Sequence, residues 1–333
     1  MKKINLAIVG ATGMVGRTFL KVLEERNLPI NNLYIFASKK SAGQEIAFMG
    51  KNYIVEELTH KSFEKDIDIA LFSAGGDISK EYAPIAVSCG VIVVDNSSAW
   101  RMKEDVPLVV PEVNPEDIKW HKGIIANPNC STIQAVVALK PLHEKYGIKR
   151  IVYSTYQAVS GAGAQAIDDL LDGDKGVKPK TFIHPIAKNC IPQIDIFEEN
   201  GYTKEENKMI NETKKILHAS DMKVTATTVR IPVITSHSES INVEFNQQYD
   251  IRELVDLLKN SPGIVIEDDI KNNVYPMPIN TEGLDDVFIG RIRRDFSLES
   301  GLNMWVVSDN LRKGAATNTV QIAEEIIKGG YVK

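Results

Sequence analysis

The chain has 333 residues, a formal net charge of −5, and hydrophobic and charged residues at 43% and 25% of the total. This composition is typical of a globular protein of about two domains and excludes a largely disordered chain. The mild acidity argues against a nucleic-acid partner, and no apolar run approaches the ~20 residues of a membrane span, so neither nucleic acid nor a membrane is an expected partner.

The start of the chain and its cysteines indicate a cytoplasmic protein. The apolar run that follows Lys3 is interrupted at Gly10, too early for a secretory signal. The cysteines, Cys89, Cys130 and Cys190, are odd in number and widely spaced. This pattern argues against a disulfide framework and, without a CxxC pair or a His/Cys cluster, against a structural zinc site. We therefore expect a reducing compartment and no bound metal.

The first 128 residues alternate apolar strand patterns with amphipathic helical patterns. Strands are predicted at residues 4–9, 33–36, 67–73 and 91–95, and helices at 14–25 and 79–88. Such alternation is typical of an α/β fold, here a Rossmann-type doubly wound parallel sheet with helices on both faces.

A glycine-rich segment joins the first predicted strand to the first predicted helix. It reads Gly10-Ala11-Thr12-Gly13-Met14-Val15-Gly16. Glycines here let the backbone approach a pyrophosphate, and the helix N-terminus supplies free N–H groups and a positive potential. The strand–turn–helix context favours a dinucleotide site over a merely tight turn. The residues assigned to this site are Gly10, Thr12, Gly13, Met14 and Val15, with Ser73 and Gly75 at the end of the third predicted strand.

The second predicted strand is followed by hydroxyls and ammonium groups instead of a carboxylate. The residues are Ser38, Lys39, Lys40 and Ser41. A site that prefers NAD usually places Asp or Glu here to bind the ribose 2′-hydroxyl. The observed composition suits a 2′-phosphate, so we predict NADP over NAD. The alternative is a solvated Lys-Ser loop without a ligand.

The pattern changes near residue 128, where we place a domain boundary. Helices are predicted at 131–146 and 204–219, and longer alternating strands at 150–157, 223–233 and 240–245. The last two strands are expected to pair across a loop, which gives an α+β catalytic and dimerisation domain, residues 129–313, with a largely antiparallel sheet. A final helix at 315–328 lies in the segment 314–333, which we expect to pack back on the first domain, residues 1–128. The helix at 131–146 is expected to bury Ile133, Val136, Val137 and Leu142.

Cys130 is the candidate nucleophile. It follows Asn127-Pro128-Asn129, a turn-forming run, and precedes a predicted helix. A thiol at a helix N-terminus has a lowered pKa, and the adjacent N–H groups can hold an oxyanion. Most cysteines are small buried hydrophobes, and we interpret Cys89 and Cys190 in this way.

Several charged or titratable side chains could serve this nucleophile. His237 lies in a polar turn, where a lone histidine is usually a surface residue, yet an imidazole with a pKa near neutrality can carry protons. Arg230 lies on a strand of Thr and Val, where a guanidinium needs a carboxylate, from the protein or from a ligand. Glu212 and Lys215 share one helix face, which by itself is typical of a weak surface pair. Arg101 follows the carboxyl end of a strand, where ligands of α/β sheets lie.

The chain resembles the aspartate-β-semialdehyde dehydrogenase family nearly from end to end. The segments that carry the resemblance are residues 10–16, 38–43, 95–101, 127–132, 156–163 and 230–240. The block around Cys130 is the most specific, because the related N-acetyl-glutamyl-phosphate reductases usually place Gly instead of Asn before the cysteine. The resemblance implies that Cys130 attacks an acyl phosphate and carries a thioester, and that His237 is the acid/base.

The resemblance also implies contacts with the substrate and the cofactor. Arg230 would bind the α-carboxylate and Glu212 would lie near the amino group. Lys215 and Arg101 would bind the phosphate, and Lys214 replaces Lys215 if the register slips by one residue. The remaining implied site residues are Asn129 and Gln157 for the substrate, and Ser160, Gly161 and Asn318 for the cofactor.

The implied reaction is the NADPH-dependent reductive dephosphorylation of L-aspartyl 4-phosphate to L-aspartate 4-semialdehyde, with release of inorganic phosphate. It belongs to the biosynthesis of lysine, threonine, methionine and isoleucine. The alternatives are another acyl-phosphate reductase, of the N-acetyl-glutamyl-phosphate type, and a catalytically silent NADP-binding homologue. Family members assemble through the second domain, so a homodimer is expected, with a tetramer as the alternative. Many relatives have Arg in place of Lys40, which leaves the strictness of the NADP preference open.

Overall fold

The computed structural model describes residues 3–173 and 175–332. The chain divides into two compact units, Met1–Pro128 with Ala315–Lys333, and Asn129–Gly314. The outermost residues of the predicted domains, 1–2 and 333, lie outside the described residues. None of the described helices combines the length and the apolar character that a bilayer span requires.

The helices and strands follow one another as three groups along the chain. The first group is β1 (Ile4–Val9), α1 (Met14–Glu25), β2 (Ile30–Ala37), β3 (Glu45–Phe48), β4 (Lys51–Ile54), β5 (Glu56–Glu57), β6 (Ile69–Phe72), α2 (Gly76–Ser88), β7 (Ile92–Asp95) and β8 (Ile124–Ala126). The second group is α3 (Cys130–Tyr146), β9 (Ile148–Gln157), α4 (Ala164–Gly173), α5 (Lys204–Ile216), β10 (Lys223–Arg230), β11 (His237–Phe245), α6 (Ile251–Lys259), β12 (Ile264–Ile266), α7 (Pro278–Thr281), β13 (Val287–Asp295) and β14 (Gly301–Ser308). The last is the helix α8 (Thr317–Lys328).

The first unit is built on a parallel sheet. Its strand order is β5-β2-β1-β6-β7-β8, and every pairing is parallel. All six residues of β1 are buried, as expected of a strand that is covered on both faces. From β1 the chain proceeds to β2 on one side and later to β6 on the other, so the strand order reverses beside β1. Open α/β sheets bind ligands at this point. The predicted doubly wound sheet is confirmed, and the unpredicted hairpin of β3 and β4 lies outside it.

Helix α8 completes the first unit. Val320, Ala323 and Ile327 lie in the same hydrophobic core as β1 and α1. Arg26, just after α1, donates through Nε and Nη2 to the two carboxylate oxygens of Glu324, at 2.8 and 2.7 Å. The C-terminal segment is therefore fixed to the first unit by both packing and an ion pair.

The second unit contains a mixed sheet, in the order β10-β9-β11-β14-β13-β12. Three pairings are antiparallel and two, β10 with β9 and β12 with β13, are parallel. The predicted direct pairing of β10 with β11 is wrong, because β9 lies between them and is hydrogen-bonded to both. The long connection through α4 and α5 is what allows β10 to run parallel to β9.

Helix α3 supplies much of the core of the second unit. Ile133, Val136, Val137 and Leu142 are buried as predicted, and all residues from 131 to 139 are buried. A helix that is buried all round packs beneath other elements, and α3 contacts β11, β14 and α5. This burial holds its N-terminus, which begins at Cys130, in a fixed position.

The predicted packing role of two cysteines is wrong. Cys89 and Cys190 are both exposed. Cys89 is the C-cap that follows α2 and does not lie inside the helix. Cys190 lies in the irregular segment between α4 and α5. Both thiols are therefore accessible, which makes them useful controls for experiments on Cys130.

Candidate active site

The predicted dinucleotide loop lies at the carboxyl edge of the parallel sheet. Gly10 has a φ of +88°, and a Cβ there would lie 2.3 Å from the carbonyl oxygen of Ser73, so only glycine fits where the loop passes the end of β6. A Cβ at Gly16 would lie 2.3 Å from the carbonyl oxygen of Gly10. A Cβ at Gly75 would meet nothing within 4 Å, which leaves the backbone there open to a ligand.

The turn after β2 lies beside this loop. The Ser41 N–H donates to the Ser38 carbonyl oxygen at 2.8 Å, and the Thr12 hydroxyl lies 3.4 Å from the Ser41 hydroxyl. Lys39 and Lys40 are exposed. The residues predicted for a 2′-phosphate are thus adjacent to those predicted for a pyrophosphate.

Arg101 and Asn318 both bind Asn127, the residue that follows β8 in the first unit. Arg101 donates through Nε to the carbonyl oxygen of Asn127 at 2.9 Å and through Nη2 to that of Asn96 at 3.0 Å. The Asn318 amide nitrogen donates to Asn127 Oδ1 at 2.7 Å and to the Val109 carbonyl oxygen at 3.0 Å. Their contacts with phosphate and nicotinamide stay predictions.

In the second unit, Cys130 is the first residue of α3. Asn129 is the N-cap, and its Oδ1 accepts the N–H groups of Ser131 and Thr132 at 3.0 and 3.2 Å. The backbone N–H of Asn129 donates to Glu212 Oε2 at 2.6 Å. The positive end of the helix dipole therefore lies at the thiol, as the sequence predicts.

Three neighbouring strands bring further predicted site residues side by side. Arg230 at the end of β10 is in register with Gln157 at the end of β9. His237 is the first residue of β11. It immediately precedes Ser238, which pairs with Tyr156 of β9. Arg230, Gln157 and His237 are 5%, 1% and 0% exposed. One edge of the sheet thus presents three side chains that are distant in the sequence.

His237 contacts the candidate nucleophile through Nε2. The distance from Cys130 Sγ to His237 Nε2 is 3.2 Å, and His237 Nδ1 accepts the backbone N–H of Ala158 at 3.0 Å. Because an N–H donor occupies Nδ1, the neutral ring carries its proton on Nε2 and presents it to the sulfur.

The environment of His237 differs from the predicted one in two respects. The residue begins a buried strand and does not lie in a turn. Burial, and secondly the charge of Arg230, hold the pKa of His237 well below its ordinary value, so the expectation of a pKa near neutrality is wrong. The cause is that a second proton would have to enter a buried site beside a guanidinium.

The backbone of Ala158, which donates to His237, also binds Arg230. Its Nη1 donates to the carbonyl oxygen of Ala158 at 2.6 Å, while its Nε has no hydrogen-bond partner among the described residues. Burial lowers the pKa of Arg230 below its ordinary value, and the electrostatic effects of Glu205 and then Cys130 oppose this shift. The protein therefore does not saturate this buried cation with hydrogen bonds.

The loop after β9 closes over these side chains. A Cβ at Gly161 would lie 3.3 Å from both Arg230 Nη1 and His237 Cε1, so a side chain here would press on both. The Ser160 hydroxyl lies 3.0 Å from the Asn310 amide nitrogen. Of the two residues predicted in this loop, Gly161 thus lies against His237 and Arg230, and Ser160 is held by Asn310.

Glu212 and Lys215 have different environments on α5. Glu212 is 1% exposed and holds the backbone of Asn129, so it is not part of a surface pair. Lys215 and Lys214 are both half-buried, so exposure does not decide between the two registers.

Two residues that the sequence did not single out lie against the site. Glu205, near the start of α5, accepts hydrogen bonds from Asn129 Nδ2 at 2.9 Å and Gln157 Nε2 at 3.3 Å. It precedes Glu212 by two helical turns, a spacing that could have indicated a second acid on the buried face. A Cβ at Gly314 would lie 2.8 Å from that of the candidate nucleophile, and no local signal in the sequence indicates this contact.

Comparison with known proteins gives the family. Residues 5–121 match the semialdehyde dehydrogenase NAD binding domain, and residues 139–313 match the semialdehyde dehydrogenase dimerisation domain. The chain is 60% identical to an aspartate-semialdehyde dehydrogenase of Aquifex aeolicus (strain VF5), over 98% of this chain and 99% of that protein.

Solved structures agree with this assignment. One is aspartate semialdehyde dehydrogenase II from Vibrio cholerae complexed with ASA, with 46% identity, a TM-score of 0.95, and coverage of 98% of this chain and 99% of that one. Another is aspartate semialdehyde dehydrogenase with NADP from Candida albicans, with 27% identity, a TM-score of 0.76, and coverage of 98% and 99%. The chain therefore belongs to the aspartate-semialdehyde dehydrogenase family of oxidoreductases.

Proposed function

We propose that this protein reduces L-aspartyl 4-phosphate to L-aspartate 4-semialdehyde with NADPH, through a thioester on Cys130. The observation that carries the proposal is the 3.2 Å contact of Cys130 Sγ with His237 Nε2 at the N-terminus of a buried helix. The incompletely hydrogen-bonded Arg230 guanidinium beside this pair suits the substrate α-carboxylate, because its fork matches two carboxylate oxygens.

The cofactor domain comprises residues 1–128 with the C-terminal helix 314–333, and the catalytic and dimerisation domain comprises 129–313.

The open backbone at Gly75 and the tight loop at Gly10 suit a pyrophosphate. The exposed ammonium groups of Lys39 and Lys40 suit a 2′-phosphate, which favours NADP. When bound, NADPH supplies a hydride. The proposed cofactor contacts are Gly10, Thr12, Gly13, Met14, Val15, Ser38, Lys40, Ser41, Ser73, Gly75, Ser160, Gly161 and Asn318.

In the first chemical step the Cys130 thiolate attacks the acyl carbon of the substrate. The C–S bond forms, the C–O bond to phosphate breaks, and the electron pair leaves on the phosphate oxygen. Arg101 and Lys215 are the proposed cations for this phosphate, which takes up the one proton of the reaction from solvent. Asn129 and Gln157 orient the acyl group, and Glu212 lies near the amino group.

In the second step a hydride reaches the thioester carbon. A C–H bond forms, the C–S bond breaks, and the electron pair returns to sulfur, which leaves Cys130 as a thiolate again. His237 keeps its Nε2 proton throughout. Its Nε2–H group donates a hydrogen bond to the sulfur and so stabilises the negative charge of the thiolate. In this proposal His237 is a hydrogen-bond donor, in contrast to the acid/base role that the resemblance implies.

The tautomer of His237 is directly measurable. In enzyme with ¹⁵N-labelled histidine at neutral pH, we expect the His237 resonances of a protonated Nε2 and an unprotonated Nδ1, because Ala158 N–H occupies Nδ1. A His237→Ala variant identifies the resonances. A doubly protonated ring, which would form an ion pair with the thiolate, or a proton on Nδ1 would contradict the proposed role.

The reaction is tested by the phosphate-dependent oxidation of aspartate semialdehyde. We expect NADP reduction only when phosphate is present, and a kcat/KM for NADP above that for NAD. In the reductive direction, the kcat/KM for aspartyl phosphate should exceed the values for N-acetylglutamyl phosphate and malonyl thioesters by about 100-fold or more. A preference for N-acetylglutamyl phosphate would favour the alternative reductase, and NADP binding without turnover would favour a silent homologue.

Assembly and location complete the proposal. Homodimerisation through the second unit is supported by the matched dimerisation domain and by exposed apolar side chains in that unit, such as Phe296 at 93% and Ile279 at 80%. A tetramer is the alternative. A cytoplasmic location would keep the Cys130 thiol reduced.

A further inference from the structure

Glu205 is a buried acid that touches the site without a role in the chemistry described above. It lies in the first turn of α5 and is 5% exposed. Its Oε1 accepts the amide N–H groups of Asn129 and Gln157. Its Oε2 accepts Lys208 Nζ at 3.2 Å, and that ammonium also bonds Asp195 at 2.9 Å. The carboxylate is therefore anchored on one side and faces two proposed substrate-orienting residues on the other.

These bonds determine which way two amide groups point. An amide has a donor end and an acceptor end of nearly the same shape, and only its partners distinguish them. With Nδ2 directed at Glu205, Asn129 keeps Oδ1 for the N–H groups of the first turn of α3. Gln157 directs Nε2 at Glu205 and at Thr155 Oγ1, at 3.2 Å, so its Oε1 points away from both.

Glu205 also contributes negative charge to a site rich in cations. Two groups raise the pKa of the buried Arg230, Glu205 and Cys130, and the effect of Glu205 is the larger. The adjacent Glu206 is equally buried, at 7% exposure, but its carboxylate accepts the backbone N–H groups of Thr203 and Thr228. Two neighbouring acids on one helix thus differ in that only Glu205 contacts site residues.

We propose that Glu205 is a positioning residue that sets the orientation of Asn129 and Gln157 for the acyl chemistry at Cys130. The inference rests on the proposed function. A neutral amide at this position would turn an NH₂ group toward the ammonium of Lys208 or toward the two amides, and in either orientation one of these contacts becomes donor against donor.

The test compares Glu205→Gln with the matched control Glu206→Gln in the full-length enzyme. We expect Glu205→Gln to lower kcat by about 10- to 100-fold, because misplaced reacting groups cost this much, with KM for aspartate semialdehyde changed less. Glu206→Gln should keep kcat within about threefold of wild type even if its melting temperature falls. Equal losses of kcat in the two variants would overturn the proposal.

Coupling with Gln157 separates positioning from general destabilisation. In a Gln157→Ala background, Glu205→Gln should cost at least fivefold less in kcat than it does in wild type, since residues that act together are non-additive. Full additivity would overturn the proposal. If Glu205→Gln does not fold, Lys208→Met releases the same carboxylate from its anchor and should lower kcat in the same direction. Inactive wild-type enzyme would instead contradict the proposed function itself.

Discussion

Replacing Cys130 with alanine is expected to lower turnover of aspartate semialdehyde by about 10⁴-fold or more. The loss follows from the chemistry, because without sulfur no thioester forms and no other described side chain takes its place at the N-terminus of α3, 3.2 Å from His237. NADP binding should remain, since the proposed nucleotide contacts do not depend on the thiol. Steady-state kinetics and a nucleotide titration measure the two properties separately.

The exposed cysteines provide the controls for this variant. Cys89→Ala and Cys190→Ala change thiols that lie on the surface and should leave kcat and KM within about twofold of wild type. Substantial turnover in Cys130→Ala would exclude a thioester at this position. A loss of activity in either control as large as that in Cys130→Ala would exclude Cys130 as the specific nucleophile.

Replacing Glu239 with glutamine is expected to stabilise the protein at neutral pH. Glu239 is fully buried on β11, two residues after His237, and neither carboxylate oxygen has a hydrogen-bond partner among the described residues. Burial raises the pKa of Glu239 well above its ordinary value; the nearby Gln134 amide opposes this shift and the charge of Glu205 adds to it. Gln134 is close enough to influence this carboxyl but is not in hydrogen-bonding geometry with it.

The sign of the effect follows from where the proton is bound. The folded protein keeps Glu239 protonated, whereas the unfolded chain releases this proton above about pH 4.5. Between that pH and the folded-state pKa, the contribution of Glu239 to the free energy of unfolding therefore falls by about 1.4 kcal/mol per pH unit. Glutamine has nearly the same shape and no proton to lose, so the advantage of Glu239→Gln should be absent below pH 4.5 and should grow as the pH rises.

Urea unfolding of both proteins across this pH range measures the effect. Glu244→Gln, on the same strand but ion-paired with Lys149 at the surface, serves as the control and should show no stabilisation that grows with pH. A difference between wild type and Glu239→Gln that stays constant with pH would contradict a protonated Glu239. A difference that shrinks as the pH rises would contradict it equally.

The sequence predicted those features that depend on a short segment. The loop from Gly10 to Gly16 carries its own requirement for glycine, and the local pattern alone places Cys130 at the N-terminus of a helix. Strand order depends instead on distant partners, so the insertion of β9 between β10 and β11 was not predictable from either strand. The same limit hid the burial of His237, which comes from the whole sheet.

Several site contacts depend on pairs far apart in the chain. The proton position on His237 is set by the backbone N–H of Ala158, which belongs to another strand end. The link from Glu205 to Asn129 and Gln157 joins a helix to two other elements. No spacing within one segment encodes these contacts, and the two-turn spacing from Glu212 is the one local signal that could have indicated an inward-facing Glu205.

Direct detection of the acyl-enzyme tests the central claim. Wild-type enzyme is mixed with aspartate semialdehyde and NADP without phosphate, quenched in acid and digested, and the peptides are analysed by mass spectrometry. We predict an added aspartyl group on the peptide that contains Cys130, its disappearance when phosphate is supplied, and its absence from Cys130→Ala. Oxidation of the substrate with no adduct on that peptide, or an adduct on another residue, would contradict a thioester at Cys130.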